Sequence, residues 1–243
     1  MDKFSNTYSV RGSELAPDYR LRNFYVCSYF QECFAEFMTL KNMAGYDMQR
    51  VGLTWLMSDI SAEICDTLPF WRTPVKVEVW TREINPIFVV VNFTLKDCEK
   101  IFARGSTRAL LADSKTHKPQ RFGKYAEKFE ACECGEKLEN PFKKFEIEGE
   151  KIGETLQEVR VPDLDFNLHL NNVRYLPRMF ESMPAEITAS GALKSFQIKF
   201  AREALLGDKI LSESFKSGNF YTHRLTRVSD EKIIATMKSA WSS

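Results

Sequence analysis

Within seven residues the chain places Asp163, Asp165, Asn167 and His169, in the stretch DLDFNLHLNNVRYLPRMFESMP. An acid, an amide and an imidazole so close together can activate a water, hold a carbonyl oxygen and steady a developing negative charge. Asn171 and Asn172 follow, then Val173, Leu176, Phe180 and Met183 at helical spacing. That reads as a loop feeding a helix capped by one of the two asparagines. The alternation of Asp165, Asn167 and His169 predicts an extended segment with all three on one side, aimed at the unpaired amides of the first helical turn. Taken alone, Asp163 and Asp165 read equally well as turn caps, and His169 as a satisfied core histidine. His117 and His223 are read as having no catalytic part.

The elements around this stretch follow a plan that occurs twice. Residues 1–21 begin polar and enter a sheet edge around Tyr8 to Arg11. Asn23 is expected to cap a helix running to about Ala44, with Gly45 as its left-handed stop. Val26, Cys27, Tyr29, Phe30, Cys33, Phe34, Phe37 and Met38 make that helix apolar almost all round, which suits a helix wrapped by sheet. From Thr54 the period becomes two, with Leu56, Ser58, Ile60, Ala62 and Ile64 opposed to Trp55, Met57, Asp59, Ser61 and Glu63. Further strands are expected at Val75–Glu83, Ile87–Lys96 and Ile101–Ala112, with short turns that join antiparallel neighbours. Residues 119–153, rich in Lys and Glu, read as a partly helical connector. A strand at Glu154–Val161, the second helix, and strands at Leu193–Glu203, Lys209–Ser217, Phe220–Arg227 and Lys232–Ala240 repeat the pattern. The expected fold is therefore α+β, a tandem hotdog in which two long central helices are each wrapped by a curled antiparallel sheet. Its divisions are 1–118, a connector at 119–153, and 154–243.

Composition narrows the function classes. In 243 residues, 34 basic and 33 acidic side chains nearly cancel, so no long-range field argues for nucleic acid or an anionic membrane. Six cysteines and three histidines form no ligand set at zinc spacing, and Cys132-Glu-Cys134 reads as incidental, with free thiols in a reducing compartment. The first residues lack the apolar core of a signal peptide, and the run Phe24 to Leu40 is broken by Gln31, Glu32 and Glu36. A cytoplasmic protein without a membrane span is expected.

The run DLDFNLHLNNVRYLPRMFES, the later LKSFQIKFAREALLGD, and FTLKD followed by RALLADSKTHKPQR resemble the plant-plastid and bacterial acyl-acyl-carrier-protein thioesterases. That family carries a D-L-D-x-N-x-H-x-N-N-x-x-Y block and a downstream L-E-Y-R-R-E-C block on a tandem hotdog. The resemblance implies that Asp165, Asn167, His169 and Glu203 are catalytic. It also implies that the N-terminal hotdog binds the acyl chain while the C-terminal one supplies the catalytic block. Departures are visible: the cysteine after the family's second acid is Ala204 here, Lys199 and Ala201 replace a Glu and an Arg, and Pro177 falls inside the helix. A Cys–His nucleophile at that position is thereby excluded.

From the residues up, a thioester needs a nucleophile and an oxyanion stabiliser, because its thiolate already leaves well. Glu203 with His169 would activate water, Asp165 would orient the cluster, and Asn167 with a helix-start amide would hold the carbonyl. Direct attack by the Glu203 carboxylate through an anhydride is the rival route. Asn171 and Asn172, with Phe30 and Phe34 of the first helix, are the substrate-binding candidates. Each buried methylene is worth about 0.8 kcal/mol, so slot depth can set chain-length preference. The implied partner is an acyl carrier protein bearing a fatty acyl chain, with Arg174, Arg178, Lys194, Lys199 and Arg202 as docking candidates. No cofactor, metal or nucleic acid is implied, and a homodimer is allowed. A non-catalytic acyl-thioester-binding hotdog protein and a hotdog hydratase or dehydratase are the other readings.

Overall fold

A computed structural model describes residues 3–189 and 193–242. The chain forms two compact units, residues 1–141 and 142–243, so the division falls inside the stretch read as a connector.

In the first unit, strands β1 (Lys3–Ser9), β2 (Leu53–Ile64), β3 (Pro74–Ile84), β4 (Phe88–Lys96) and β5 (Ile101–Asp113) are antiparallel neighbours in the order β1-β3-β4-β5-β2. The two-residue β6 (Pro119–Gln120) adds to β5. Helix α1 (Val26–Leu40) packs on β1, β3 and β4, as its apolar circumference requires. Phe30 stacks on Phe93 with centroids 4.9 Å apart, and Phe34 meets Trp55 edge-on at 5.7 Å. A Cβ on Gly105 would lie 2.7 Å from the Phe30 ring and 2.8 Å from the Ser61 carbonyl oxygen, so only glycine lets the helix approach there.

The first helix is shorter than its composition suggests. Asn23 opens a single 3₁₀ turn (Asn23–Tyr25) without capping through its side chain. Asn42 takes the left-handed conformation after α1, and Gly45 begins a separate helix, α2 (Gly45–Arg50), instead of ending the first. The expected alternation along β2 also fails midway. Pairing with β5 skips Ser58, so Met57 faces Ala109 and Asp59 faces Arg108. One extra residue in the strand exchanges its two faces. Trp55, Met57, Ile60 and Ala62 thus share the α1 side of the sheet with their β5 partners Leu111, Ala109, Thr107 and Gly105.

Residues 119–141 pack on the first unit. Phe122 and Phe129 close on Trp55, Leu138 accepts a hydrogen bond from Arg82, and Gly135 lies against Trp80. The only helical turn there is 3₁₀ (Gly123–Lys128). Cys132 and Cys134 are joined by a disulfide, contrary to the reading of free thiols. In an extended segment residues two apart point to one side, so Glu133 between them is no obstacle. Cys27 and Cys33 are free and buried, and burial pushes both thiols up to about 12.

The second unit repeats the strand order as β7-β9-β10-β11-β8, with β7 (Glu150–Glu158), β8 (Leu193–Phe200), β9 (Lys209–Ser217), β10 (Phe220–Arg227) and β11 (Lys232–Trp241). Its helix α3 (Asn172–Phe180) packs on β9 and β10 and has nine residues, not the long helix expected. Pro177 sits within it, and Pro184 precedes a short α4 (Ala185–Ala189). The end of α3 is tied to the sheet by hydroxyls. Ser212 donates to the Arg178 carbonyl at 3.0 Å and Ser182 to that of Met179 at 2.9 Å. Ser182 also bonds Ser214, which meets His223 Nδ1 at 2.8 Å, while His223 Nε2 meets Ser239 at 2.9 Å. His223 is fully buried, and that burial pushes its pKa down to about 3. It is a neutral member of the core network, as a buried imidazole between hydroxyls must be.

Candidate active site

The segment 160–171 is a tight turn and not the extended strand its alternation predicts. The Arg160 N–H donates to the Asp163 carboxylate at 2.8 Å, opening a 3₁₀ turn over Val161–Asp163. The Asp165 and His169 backbones then close a hairpin, with the Asp165 N–H on the His169 carbonyl at 2.8 Å and Leu168 in the left-handed region at φ 63°. Asp165 Oδ1 accepts the N–H groups of Asn167 at 2.8 Å and His169 at 3.1 Å. Its carboxylate therefore shapes the turn that presents Asn167 and His169, an Asx-turn role for a residue expected to orient the cluster.

Two further contacts hold this turn. Arg178, from α3, reaches Asp163 at 2.7 Å and the Glu158 carbonyl at 3.0 Å and is itself buried, so it is a structural cation and not a docking residue. Breaking such a buried pair by removing one partner commonly costs about 3–5 kcal/mol. Asn171 caps α3, its side-chain oxygen accepting the Val173 N–H at 3.2 Å, while Asn172 is the first helical residue.

Glu203 lies beyond β8, in the loop 201–208, because the strand ends at Phe200. This loop is docked on the turn: the Leu170 N–H donates to the Ala204 carbonyl at 2.8 Å, and His169 pairs with Leu205. As a result His169 Nε2 stands 3.4 Å from Glu203 Oε2, with the imidazole largely buried and the carboxylate more open. Arg227, at the end of β10, secures the loop from behind. It donates to the Glu203 carbonyl at 3.3 Å and pairs with Asp208 at 3.5 Å and Asp230 at 2.9 Å. Asp208 in turn accepts the Leu205 N–H at 2.9 Å. The Tyr175 ring is buried edge-on against Phe200 at 5.0 Å. Burial, then the Glu203 and Asp165 charges, push its phenol pKa up, so the hydroxyl stays protonated beside the two acids.

Arg227 had no signal in the sequence, since nothing local links residue 227 to residue 203; Tyr175 was visible as the last residue of the first block. Arg174 and Lys194 are exposed and Lys199 is half-buried. The exposed Arg202 donates to the Ile233 carbonyl at 2.9 Å. Phe30 and Phe34 are core residues of the first unit.

The first unit builds the same backbone without this chemistry. There the Arg11 N–H donates to Glu14, Glu14 is held by the α1 residue Tyr29 at 2.6 Å, and Leu15 pairs with Leu21 as Leu164 pairs with Leu170. Ala16 and Arg20 close the hairpin, Tyr19 has φ 63°, and the Leu21 N–H donates to the Pro69 carbonyl at 2.8 Å. At the positions of Asp165, Asn167, His169 and Glu203 stand Ala16, Asp18, Arg20 and Leu68. The turn and its docked loop form without a His–Glu pair, so folding does not explain that pair in the second unit.

Residues 148–243 match the acyl-ACP thioesterase C-terminal domain family. That part of the chain is similar to the C-terminal domain of the acyl-acyl-carrier-protein thioesterases. The chain is 24% identical over 234 residues to a chloroplastic dodecanoyl-[acyl-carrier-protein] hydrolase of Cinnamomum camphora, covering 88% of this chain and 60% of that protein. Over 260 residues it is 22% identical to a chloroplastic palmitoyl-acyl carrier protein thioesterase of Cuphea hookeriana, covering 98% and 62%. The chain thus spans about three fifths of the length of these curated relatives. Two solved structures share the fold. A 12:0-ACP thioesterase from Umbellularia californica has TM-score 0.85 at 20% identity, covering 99% of this chain and 94% of that one. An acyl-ACP thioesterase from Bacteroides thetaiotaomicron has TM-score 0.83 at 16% identity, covering 99% and 98%. Among the described residues no helix is long and apolar enough to cross a membrane.

Proposed function

We propose that this protein hydrolyses the thioester of fatty acyl-acyl carrier protein, releasing free fatty acid. The observation that carries the reading is the His169–Glu203 pair, 3.4 Å apart on a turn and loop that the first unit builds without either residue. In this reading each unit is a hotdog, repeated in tandem. The 1–118 part takes the acyl chain, with Phe30 and Phe34 as its candidate contacts. The 154–243 part supplies the chemistry, and 119–153 links them.

Glu203 and His169 together take a proton from water as it attacks the thioester carbon. The tetrahedral oxyanion is held by the Asn167 side-chain amide and by N–H groups at the start of α3, where the helix dipole adds partial positive charge. With Asn171 committed to its cap, Asn172 is the remaining asparagine that can meet the carbonyl. Collapse expels the carrier's thiolate, which takes up the proton, and the fatty acid departs. The buried Tyr175 phenol keeps its proton and serves as a neutral neighbour to Glu203 and Asp165.

The test follows thiol release from purified acyl-acyl carrier protein. Wild-type protein should release thiol, and folded His169→Ala and Glu203→Gln variants should lose about a hundredfold or more in turnover. Binding without release would favour a non-catalytic binding protein, and a change in a double bond of the chain a hydratase or dehydratase. Single turnover in oxygen-18 water should leave the protein unlabelled. Label in Glu203 would move the mechanism to the anhydride route.

A further inference from the structure

The loops that carry His169 and Glu203 also expose large apolar side chains. Val161 is 69% exposed, Phe166 68%, Leu168 69%, Leu205 44% and Leu206 57%. These positions are neighbours in space. His169 pairs with Leu205, and the Gly207 N–H donates to the Val159 carbonyl at 2.9 Å, which brings Leu206 beside the turn at Val161. Scattered single apolar residues are ordinary on a surface, but five on two adjoining loops form a patch of the kind that marks a binding surface. Guanidinium groups stand beside them. Arg174 lies 3.4 Å from the Pro162 carbonyl and is exposed, the exposed Arg202 precedes Glu203 and donates to the Ile233 carbonyl at 2.9 Å, and the exposed Arg160, 3.8 Å from Glu158, precedes Val161.

We infer that this rim is the surface on which the carrier protein docks, an inference that rests on the function proposed above. The match is in chemistry. A carrier holds its thioester on a pantetheine arm joined through a phosphodiester, so it must bring an anion close to the pair that cleaves the thioester. Arg160, Arg174 and Arg202 supply the opposite charge, and the apolar tips supply desolvated contact area around it. The docking residues are therefore the loop tips together with Arg160, Arg174 and Arg202. Arg178, buried against Asp163, has no place among them. The corresponding tips of the first unit also expose Tyr19, Phe70 and Trp71, but there they frame no His–Glu pair, which makes them an internal control.

The experiment compares kcat/KM for a fatty acyl thioester of purified acyl carrier protein with that for the same acyl chain on pantetheine. Phe166→Ser and a Val161→Ser/Leu206→Ser double variant should lower the ratio of the two by at least about fivefold. A Phe70→Ser/Trp71→Ser variant should leave the ratio where it is. Equal losses on both substrates, no loss on either, or an equal effect of the first-unit variant would each overturn the assignment. Sedimentation of wild-type and double-variant protein adds a further check, because lost self-association with an unchanged ratio would give the rim to a second copy of the chain. If wild-type protein cleaves neither substrate, the proposed function fails. Docking is then read from direct binding of the carrier protein, which the double variant should weaken by the same factor and which equal binding by both proteins would refute.

Discussion

Acidification should unfold the second unit earlier than its carboxylates alone would allow, because His223 is neutral and enclosed. Both ring nitrogens are engaged by hydroxyls, Ser214 at 2.8 Å and Ser239 at 2.9 Å, and burial holds the folded-state pKa at about 3 against 6.5 for a free imidazole. The unfolded chain therefore takes up a proton near pH 6.5 that the folded chain refuses until about pH 3. Stability from this group is complete above pH 6.5 and is lost as pH falls through that window, at up to about 1.4 kcal/mol per pH unit and about 5 kcal/mol in all. Between pH 6.5 and 5 the loss should be about 2 kcal/mol. The carboxylates with lowered pKa begin to act below this range: Glu213 of the same unit, where burial is outweighed by Arg224 and Lys151, titrates in the unfolded chain only near 4.5. The assay is urea unfolding at pH 7.5, 6.5, 5.8 and 5.0, on wild-type protein and on His223→Gln, which keeps a donor and an acceptor in place. The variant should show a shallower fall by about one proton's worth. Identical slopes in the two proteins, or no fall in the wild type, would refute the reasoning.

Other perturbations have effects of stated size. Arg227→Met should lower kcat by roughly tenfold to a hundredfold with little change in melting temperature, because it frees the loop that positions Glu203, and Arg227→Lys should restore part of the loss. Steady-state kinetics beside thermal melts separates that from unfolding. Asn171→Ala should destabilise the protein by about 1 kcal/mol through loss of the α3 cap, measured by denaturant titration. Gly105→Ala should cost about 1–3 kcal/mol because the new methyl meets Phe30 and the Ser61 carbonyl, and a melting temperature equal to wild type would mean that α1 can move aside.

Much of this protein is written in local pattern. Strands β9 and β10 lie where period and turns put them, and the repeat was visible as helix-then-strands because burial on one face leaves a period of two wherever a strand is regular. That Asn171 or Asn172 caps the helix was equally legible, since capping is decided within three residues, and the structure gives the cap to Asn171. Local pattern failed where one residue changes the geometry. The bulge at Ser58 exchanged the faces of β2, Leu168 adopted a left-handed conformation that turned an apparent strand into a hairpin, and Asn42 ended α1 before Gly45. Such departures are small in local energy, and distant packing selects them.

By itself the sequence determined which residue types can do the chemistry, because Asp165, Asn167 and His169 are near neighbours in the chain. Only the tertiary structure decided what they meet. It set Glu203 beside His169, spent the Asp165 carboxylate on backbone N–H groups, buried Arg178 against Asp163 and brought Arg227 behind the loop. The Asp165 contacts are local, but the others join segments whose separation along the chain carries no signal, and they form because strand pairing and the docking of one loop on another bring their polar groups within reach.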